Sequence, residues 1–186
     1  APCPTCWMIA SPTTTIPIPL SFITRTDLAQ DMMKDGDERP FDLYLYLLKL
    51  SSERSGDMKF GDMTALRSKS DRVPKNFPNI ETVPPEPPTI SLKHTKAAAA
   101  IGTNRRSNPR YRGTVNAALH KLEDEYNLIE ATFHHNKNTE VKLIPLEGSG
   151  DMIQVPIEFW DYGLSTKLSL PAKGAYLICL AEEAQS

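Results

Sequence analysis

Proline constrains this chain more than any other residue. It fixes φ and lacks a backbone N–H, so it breaks helix interiors and is confined to the edges of sheets. There are sixteen prolines against nine glycines. Pro2, Pro4, Pro12, Pro17 and Pro19 crowd the start, and Pro74, Pro78, Pro84, Pro85, Pro87 and Pro88 crowd a second stretch. Regular structure is therefore expected mainly in the windows between them. Residues 1–39 read as an extended N-terminal segment, with the charged run Asp31 to Arg39 as a loop. Residues 51–88 read as a long, irregular, proline-rich insertion, with a short helix near 61–69. Connections of that length inside compact domains are usually functional or inserted.

Charge is the second constraint. The 186 residues carry a formal net charge of −2, with 40% hydrophobic and 24% charged residues, which is ordinary globular composition. The balance is uneven. Between residues 89 and 122 lie Lys93, Lys96, Arg105, Arg106, Arg110, Arg112 and Lys121 with no acidic residue, while the segments on either side are net acidic. A basic block in an acidic chain points to an anionic partner at one surface. No run of about eighteen apolar residues occurs, so no membrane span is expected. The start of the chain lacks the basic region of a secretory leader, and Cys3, Cys6 and Cys179 cannot all pair. A cytoplasmic protein with reduced thiols is the expectation. Cys3 and Cys6 have zinc or redox spacing, but no second pair completes a site.

Within the windows the periodicities separate. Pro40 to Leu50 begins with proline, which suits a first helical turn, and Phe41, Tyr44, Leu45 and Leu48 share a helical face. Ile90 to Leu92 is short and extended. His94 to Ile101 holds four consecutive alanines, with Gly102 as a stop signal. Asn108-Pro109 predicts an N-cap followed by proline at the first helical position. Val115, Ala118, Leu119, Leu122 and Tyr126 then form one apolar stripe, which Asn127 ends. Ile129, Ala131 and Phe133 alternate with polar residues, as do Thr139, Val141 and Leu143. The polar tip His134 to Asn138 between them predicts a β-hairpin.

The stretch Thr114-Val115-Asn116-Ala117-Ala118-Leu119-His120-Lys121-Leu122, followed by an acidic end and Asn127-Leu128-Ile129, resembles the recognition helix and wing entry of bacterial winged helix-turn-helix regulators. The order helix, strand, helix, turn, helix, hairpin is similar to the same family. The resemblance implies an α+β, mainly α fold: a winged helix-turn-helix over residues 40–146, with a two-stranded wing and a C-terminal helical extension over 151–186. It implies a sequence-specific partner for double-stranded DNA, most simply a transcriptional regulator. The alternatives are a plasmid or mobile-element replication initiator or partition factor, or a winged-helix adaptor that binds protein. Chemistry supports the DNA reading. Asn108, Arg110, Tyr111 and Arg112 sit at the start of the helix that would enter the major groove, where arginine pairs with guanine and asparagine with adenine. Asn116 and His120 follow on the same helix. Lys93, Lys96, Arg105 and Arg106 would flank the groove as phosphate contacts, and Lys137 at the wing tip would reach the DNA backbone.

No catalytic constellation stands beside this. The sequence has no G-x-S-x-G, H-E-x-x-H, P-loop or G-x-G-x-x-G motif, and Asp57, Asp62 and Asp71 lack the partners of a metal nuclease. His134 and His135 are adjacent on a strand and point to opposite faces, which is poor geometry for a shared metal. The chain is read as a non-enzyme without cofactor or metal. After a joint at Gly148-Ser149-Gly150, Ser169-Leu170-Pro171 starts a helix to about Ala184. Its Leu170, Tyr176, Leu177, Ile178 and Leu180 need cover. A homodimer through residues 170–184, the opening of a second winged-helix unit, or docking on the Leu43–Leu50 helix would each supply it.

Overall fold

The computed structural model describes residues 14–24, 28–57, 88–103, 108–134, 138–146 and 151–185. Among these residues the fold is α+β, about 60% helical, with two small antiparallel sheets. The helix expected near 61–69 and the glycine joint at 148–150 lie outside the described residues.

The N-terminal segment is only briefly extended. Strand β1 is Thr15–Pro19, and helices α1, Leu20–Thr24, and α2, Leu28–Asp35, follow it. The loop expected over Asp31 to Arg39 is thus helical at both ends. Leu28, Ala29, Met32 and Met33 share one face of α2, and Ala29 and Met32 are buried. The charged residues occupy the other face and hide this amphipathicity. Gly36 closes α2 in the left-handed region, at φ 69°. Its N–H donates to Met33 and that of Asp37 to Met32, a Schellman ending.

Helix α3 runs over Glu38–Asp57, longer than the 40–50 window at both ends, and takes its last turns from the stretch expected to be irregular. Pro40 falls in the first turn, where a missing N–H costs nothing. Phe41, Leu43, Tyr44, Leu45 and Leu47 are all buried, each at most 1% exposed, so this helix is wrapped on most sides. Near its C-terminal end the Arg54 guanidinium donates to the Thr89 carbonyl at 2.6 Å.

After β2, Ile90–Leu92, comes α4, His94–Ala100. Its end is again a Schellman turn: Gly102 has φ 67°, and Gly102 and Thr103 donate to Ala99 and Ala98. The next regular helix, α5, is Tyr111–His120. It starts later than Asn108-Pro109 suggests, because a lead-in turn precedes it. There the Asn108 side-chain oxygen accepts the Arg110 N–H at 2.9 Å, and its carbonyl accepts the Tyr111 N–H. Asn108 therefore caps, one turn ahead of the regular helix. At its far end α5 widens into a π-helical turn, Lys121–Glu125, which stops at Asn127 with φ 49°.

Strands β3, Ile129–Thr132, and β4, Thr139–Leu143, form the hairpin, and β2 pairs with the outer edge of β4, giving the order β2-β4-β3. Val141, central in the sheet, pairs with both Ile90 and Ala131.

The C-terminal segment is not purely helical. Strand β5, Met152–Pro156, pairs antiparallel with β1, Ile16 opposite Val155 and Ile18 opposite Ile153. All four are buried. Pro17 and Pro19 are tolerated because β1 belongs to a two-stranded sheet with a free edge. Short helices α6, Glu158–Asp161, and α7, Leu164–Lys167, lead to α8, Leu170–Gln185.

Helix α8 is covered by its own chain. Leu170, Leu177 and Ala181 are buried in the core shared with α1, α3 and β5, and Tyr176 stacks on Phe159 at 5.4 Å. Ile178 is 47% exposed. Of the ways expected to cover this helix, docking within the chain supplies much of the cover seen. The helix is also pinned to α3 by charge. The Lys173 ammonium, fully buried, donates to both oxygens of Asp42 at 2.7 and 2.8 Å and to Glu38 at 3.0 Å. Burial pushes the Asp42 carboxyl up to about 7, although Lys173 opposes the rise.

Candidate nucleic-acid interface

Helix α5 decides what the basic block can do. Its inward stripe is Tyr111, Val115, Ala118 and Leu119, continued by Leu122 in the π-helical turn, all buried. Tyr111 thus belongs to the core and not to a reading surface, a correction to the role expected for it. It sits four residues before Val115, so the stripe begins one turn earlier than the sequence pattern suggests.

The outward face carries Arg112, Gly113, Ala117 and His120, all exposed, with Asn116 half-buried among them. Glycine and alanine leave the helix backbone open to close approach, and Arg112 rises at its leading end. Arg110 is exposed in the lead-in turn, and Lys93 and Lys96 are exposed at the start of α4. Among the described residues none of these four cations has an ion-pair partner. The structure therefore brings Lys93, Lys96, Arg110 and Arg112 to solvent uncompensated. Arg105, Arg106 and Lys137 lie outside the described residues.

The remaining candidates have internal partners. Asn108 is occupied by its cap, and its amide donates to the Thr114 hydroxyl at 3.2 Å. Asn116 meets His94 across the α4–α5 angle, Oδ1 to Nε2 at 2.9 Å, and the same imidazole nitrogen lies 3.4 Å from the Thr139 hydroxyl on β4. His94 thereby ties both helices to the sheet. His120 stacks on Phe133 at 4.6 Å with the rings 26° apart, and its Nδ1 lies 3.9 Å from Asp124. Asn116 and His120 first of all set the angles of α4 and of the hairpin relative to α5.

A second lock lies at the far end of α5. Lys121 donates to both oxygens of Asp37 at 2.7 Å, and the Tyr126 hydroxyl donates to Asp37 at 2.7 Å. The hydrogen bond to Asp37 raises the Lys121 pKa. Desolvation first, and then Asp37, raise that of Tyr126. The π-helical turn places both side chains toward the residue just before α3. Lys121 is thus paired within the protein, and the block's uncompensated charge is smaller than its sequence count. No sequence pattern marked this lock, because Asp37 lies 84 residues from Lys121.

The hairpin's solvent face is mixed. Glu130 lies opposite Lys142 in the ladder. Glu140 lies 3.6 Å from His134 Nε2, and the Asn138 amide donates to the Ser91 hydroxyl at 3.2 Å. Among the described residues, no group of three or more His, Cys, Asp or Glu is placed to hold a metal ion, and no helix is long and apolar enough to cross a membrane. Comparison of the chain with protein-family models, with curated proteins and with solved structures finds no match.

Proposed function

We propose that residues 38–57 and 88–146 form a winged helix that binds double-stranded DNA, with α5 as the helix entering the major groove. The observation that carries this reading is the outward face of α5: Arg112 on a helix otherwise presenting Gly113 and Ala117, flanked by Arg110, Lys93 and Lys96, all exposed without acidic partners. The order β2-β4-β3 beside α3, α4 and α5 supports it, since the hairpin then stands next to the entering helix as a wing. The acidic residues Glu123, Asp124 and Glu125 fall at the opposite end of that helix, which suits entry by its N-terminal turn. Regulation of transcription is the simplest role for such a module, and initiation of replication or partition of a mobile element is its rival.

Fluorescence polarisation of the full chain against promoter, origin and random duplexes, across a salt series, tests the reading. Affinity should fall steeply with salt, at about 0.9 in log–log slope per neutralised phosphate. Arg112→Ala should cost about 1–3 kcal/mol on the preferred duplex and relax discrimination there. Lys96→Ala should weaken all duplexes alike. Salt-insensitive binding, or equal small losses for both variants, rejects the reading. A preference for origin over promoter DNA would select the initiator role. Glu130 and Glu140, on the outer face of the hairpin, favour the protein-binding alternative, which salt-insensitive DNA binding would support.

A further inference from the structure

A groove of about 720 Å³ separates the start of α3 from the side of α5. Gly36, Asp37, Glu38, Arg39 and Pro40 form one wall, and Arg110, Gly113, Thr114, Ala117 and Lys121 form much of the other. Its charges are unevenly committed. Asp37 is held by Lys121 and Tyr126, and Glu38 by the buried Lys173 at 3.0 Å. Arg39 and Arg110 are exposed and, among the described residues, form no ion pair. The two acids are thus already partnered from within the protein, while the two guanidiniums line the same groove with their donors unspent. A guanidinium presents a planar fork of donors suited to phosphate oxygens.

We infer that this groove holds the phosphodiester backbone of a DNA strand, with Arg39 and Arg110 as its phosphate contacts. The inference rests on the DNA-binding reading above and divides its labour: Arg112 faces the bases and Arg110 does not. Continuity of the surface favours a strand over a free anion. Gly113 and Ala117 belong both to the outward face of α5 and to the groove, so a duplex seated on that face lays its own phosphates along the groove. The volume also lies in the range of whole ligand sites and far exceeds one phosphate ion. Arg39 enters the interface from α3, more than fifty residues before the basic block, which is why no charge count of the sequence points to it.

The test uses the full chain with Arg39→Ala, Arg39→Lys, Arg110→Ala and Arg112→Ala, each titrated against a preferred and a random duplex across a salt series. Arg39→Ala and Arg110→Ala should each reduce the salt slope by about one and leave the ratio between the two duplexes unchanged. Arg39→Lys should restore the slope, since a point charge suffices for a phosphate. Arg112→Ala should instead lower the ratio. Thermal unfolding should be unaltered by either change at Arg39, whose side chain is free of ion pairs. If wild-type binding is salt-dependent and Arg112→Ala lowers the ratio, but Arg39→Ala keeps the full slope, the groove inference fails and the DNA reading stands. If the wild type binds no duplex, both fail together. A thermal shift of the wild type by ATP that is lost in Arg39→Ala, with the DNA slope unchanged, would assign the groove to a free nucleotide and overturn the inference.

Discussion

The two sheets of this protein are closed in opposite ways. In β2-β4-β3 the hairpin partners are separated by a short tip, and the third strand joins them beside the helices that follow it. In β1-β5 the Thr15 hydroxyl donates to Gln154 at 2.8 Å across 139 residues of chain. The first sheet carries the exposed basic helix faces next to it. The second is a clasp: it gathers both terminal segments, and α8 lies over it against α1 and α2. Charge follows the same division. The hairpin region leaves Lys93, Lys96, Arg110 and Arg112 exposed and, among the described residues, without ion-pair partners, whereas the clasp region buries Lys173 completely against Asp42 of α3. One region leaves its cations to solvent, and the other spends its charge on holding the protein together.

The buried pair is where that contrast breaks with the largest effect. Asp42→Ala strands the Lys173 ammonium in the core with only half-exposed Glu38 nearby, and should cost about 3–5 kcal/mol, read as a fall in the urea midpoint. Lys173→Met should cost less at pH 7, because the Asp42 carboxyl, pushed up to about 7, takes a proton once its partner is gone. The pH dependence has a fixed sign. The unfolded chain releases the Asp42 proton near 3.8, whereas the folded protein keeps it to about 7. Between those values the native state binds more protons, so stability falls as pH rises through the window and levels off above it. Asp42→Asn should flatten this component. A wild-type stability that rises steadily from pH 4 to 7, unchanged in slope by Asp42→Asn, would contradict it.

The next effect asks whether the two regions are one folding unit. Leu119 in α5 and Leu177 in α8 are each at most 1% exposed and belong to one continuous core. Leucine-to-alanine at either site should cost about 2–5 kcal/mol. If the core is shared, both variants move the far-UV signal and the Trp160 fluorescence of a Trp7→Phe background together. Separate midpoints for Leu119→Ala would divide the protein into two units.

The same contrast explains which parts were legible in the sequence. Helix α4 and its Gly102 stop, the stripe of α5, the hairpin and the start of α8 all follow from residues a few positions apart. For these, period and turn chemistry suffice. Pairing of β1 with β5 depends on partners that no local pattern joins, and the prolines of β1 made it look merely extended. Helix α2 was hidden by its charges, although Leu28, Met32 and Gly36 carried a helical signal. The candidate site divides likewise. Exposed Arg110, Arg112, Lys93 and Lys96 were readable as charge, but Tyr111 was misplaced by one turn of the apolar stripe. Asp37, His94 and Thr139, which hold α5 in place, were invisible because their partners come from other elements.

A smaller effect separates the hairpin's proposed role in binding from its role in folding. Replacing His134 to Asn138 by Asn-Gly gives a two-residue turn that suits antiparallel strands. It removes Lys137, and with it about one unit of salt slope if that cation meets a phosphate. Stability should change by no more than about 1 kcal/mol. The replacement removes an exposed hydrogen bond, Asn138 to Ser91, and the approach of His134 to Glu140, both at the solvent face of the hairpin. An unaltered slope would make the hairpin tip a bystander.

The smallest effect lies where the hairpin touches α5. Phe133 is 36% exposed, yet its ring stacks on His120 at 4.6 Å. Aromatic pairs add about 0.5–1.5 kcal/mol beyond area burial, and solvent exposure places this one at the low end. Loss of the stack should therefore contribute only about 0.5 kcal/mol, read as the coupling of Phe133→Ala to His120→Ala in a urea-unfolding double-mutant cycle. Its consequence for DNA should be proportionally larger, because without the stack the wing is free to change its angle to the helix proposed to enter the groove. Phe133→Tyr preserves the ring and should behave as wild type in both measurements. If Phe133→Ala weakens DNA binding no more than it lowers stability, the stack is packing alone, and Asn116 with His94 carries the orientation of α5 without help from the wing.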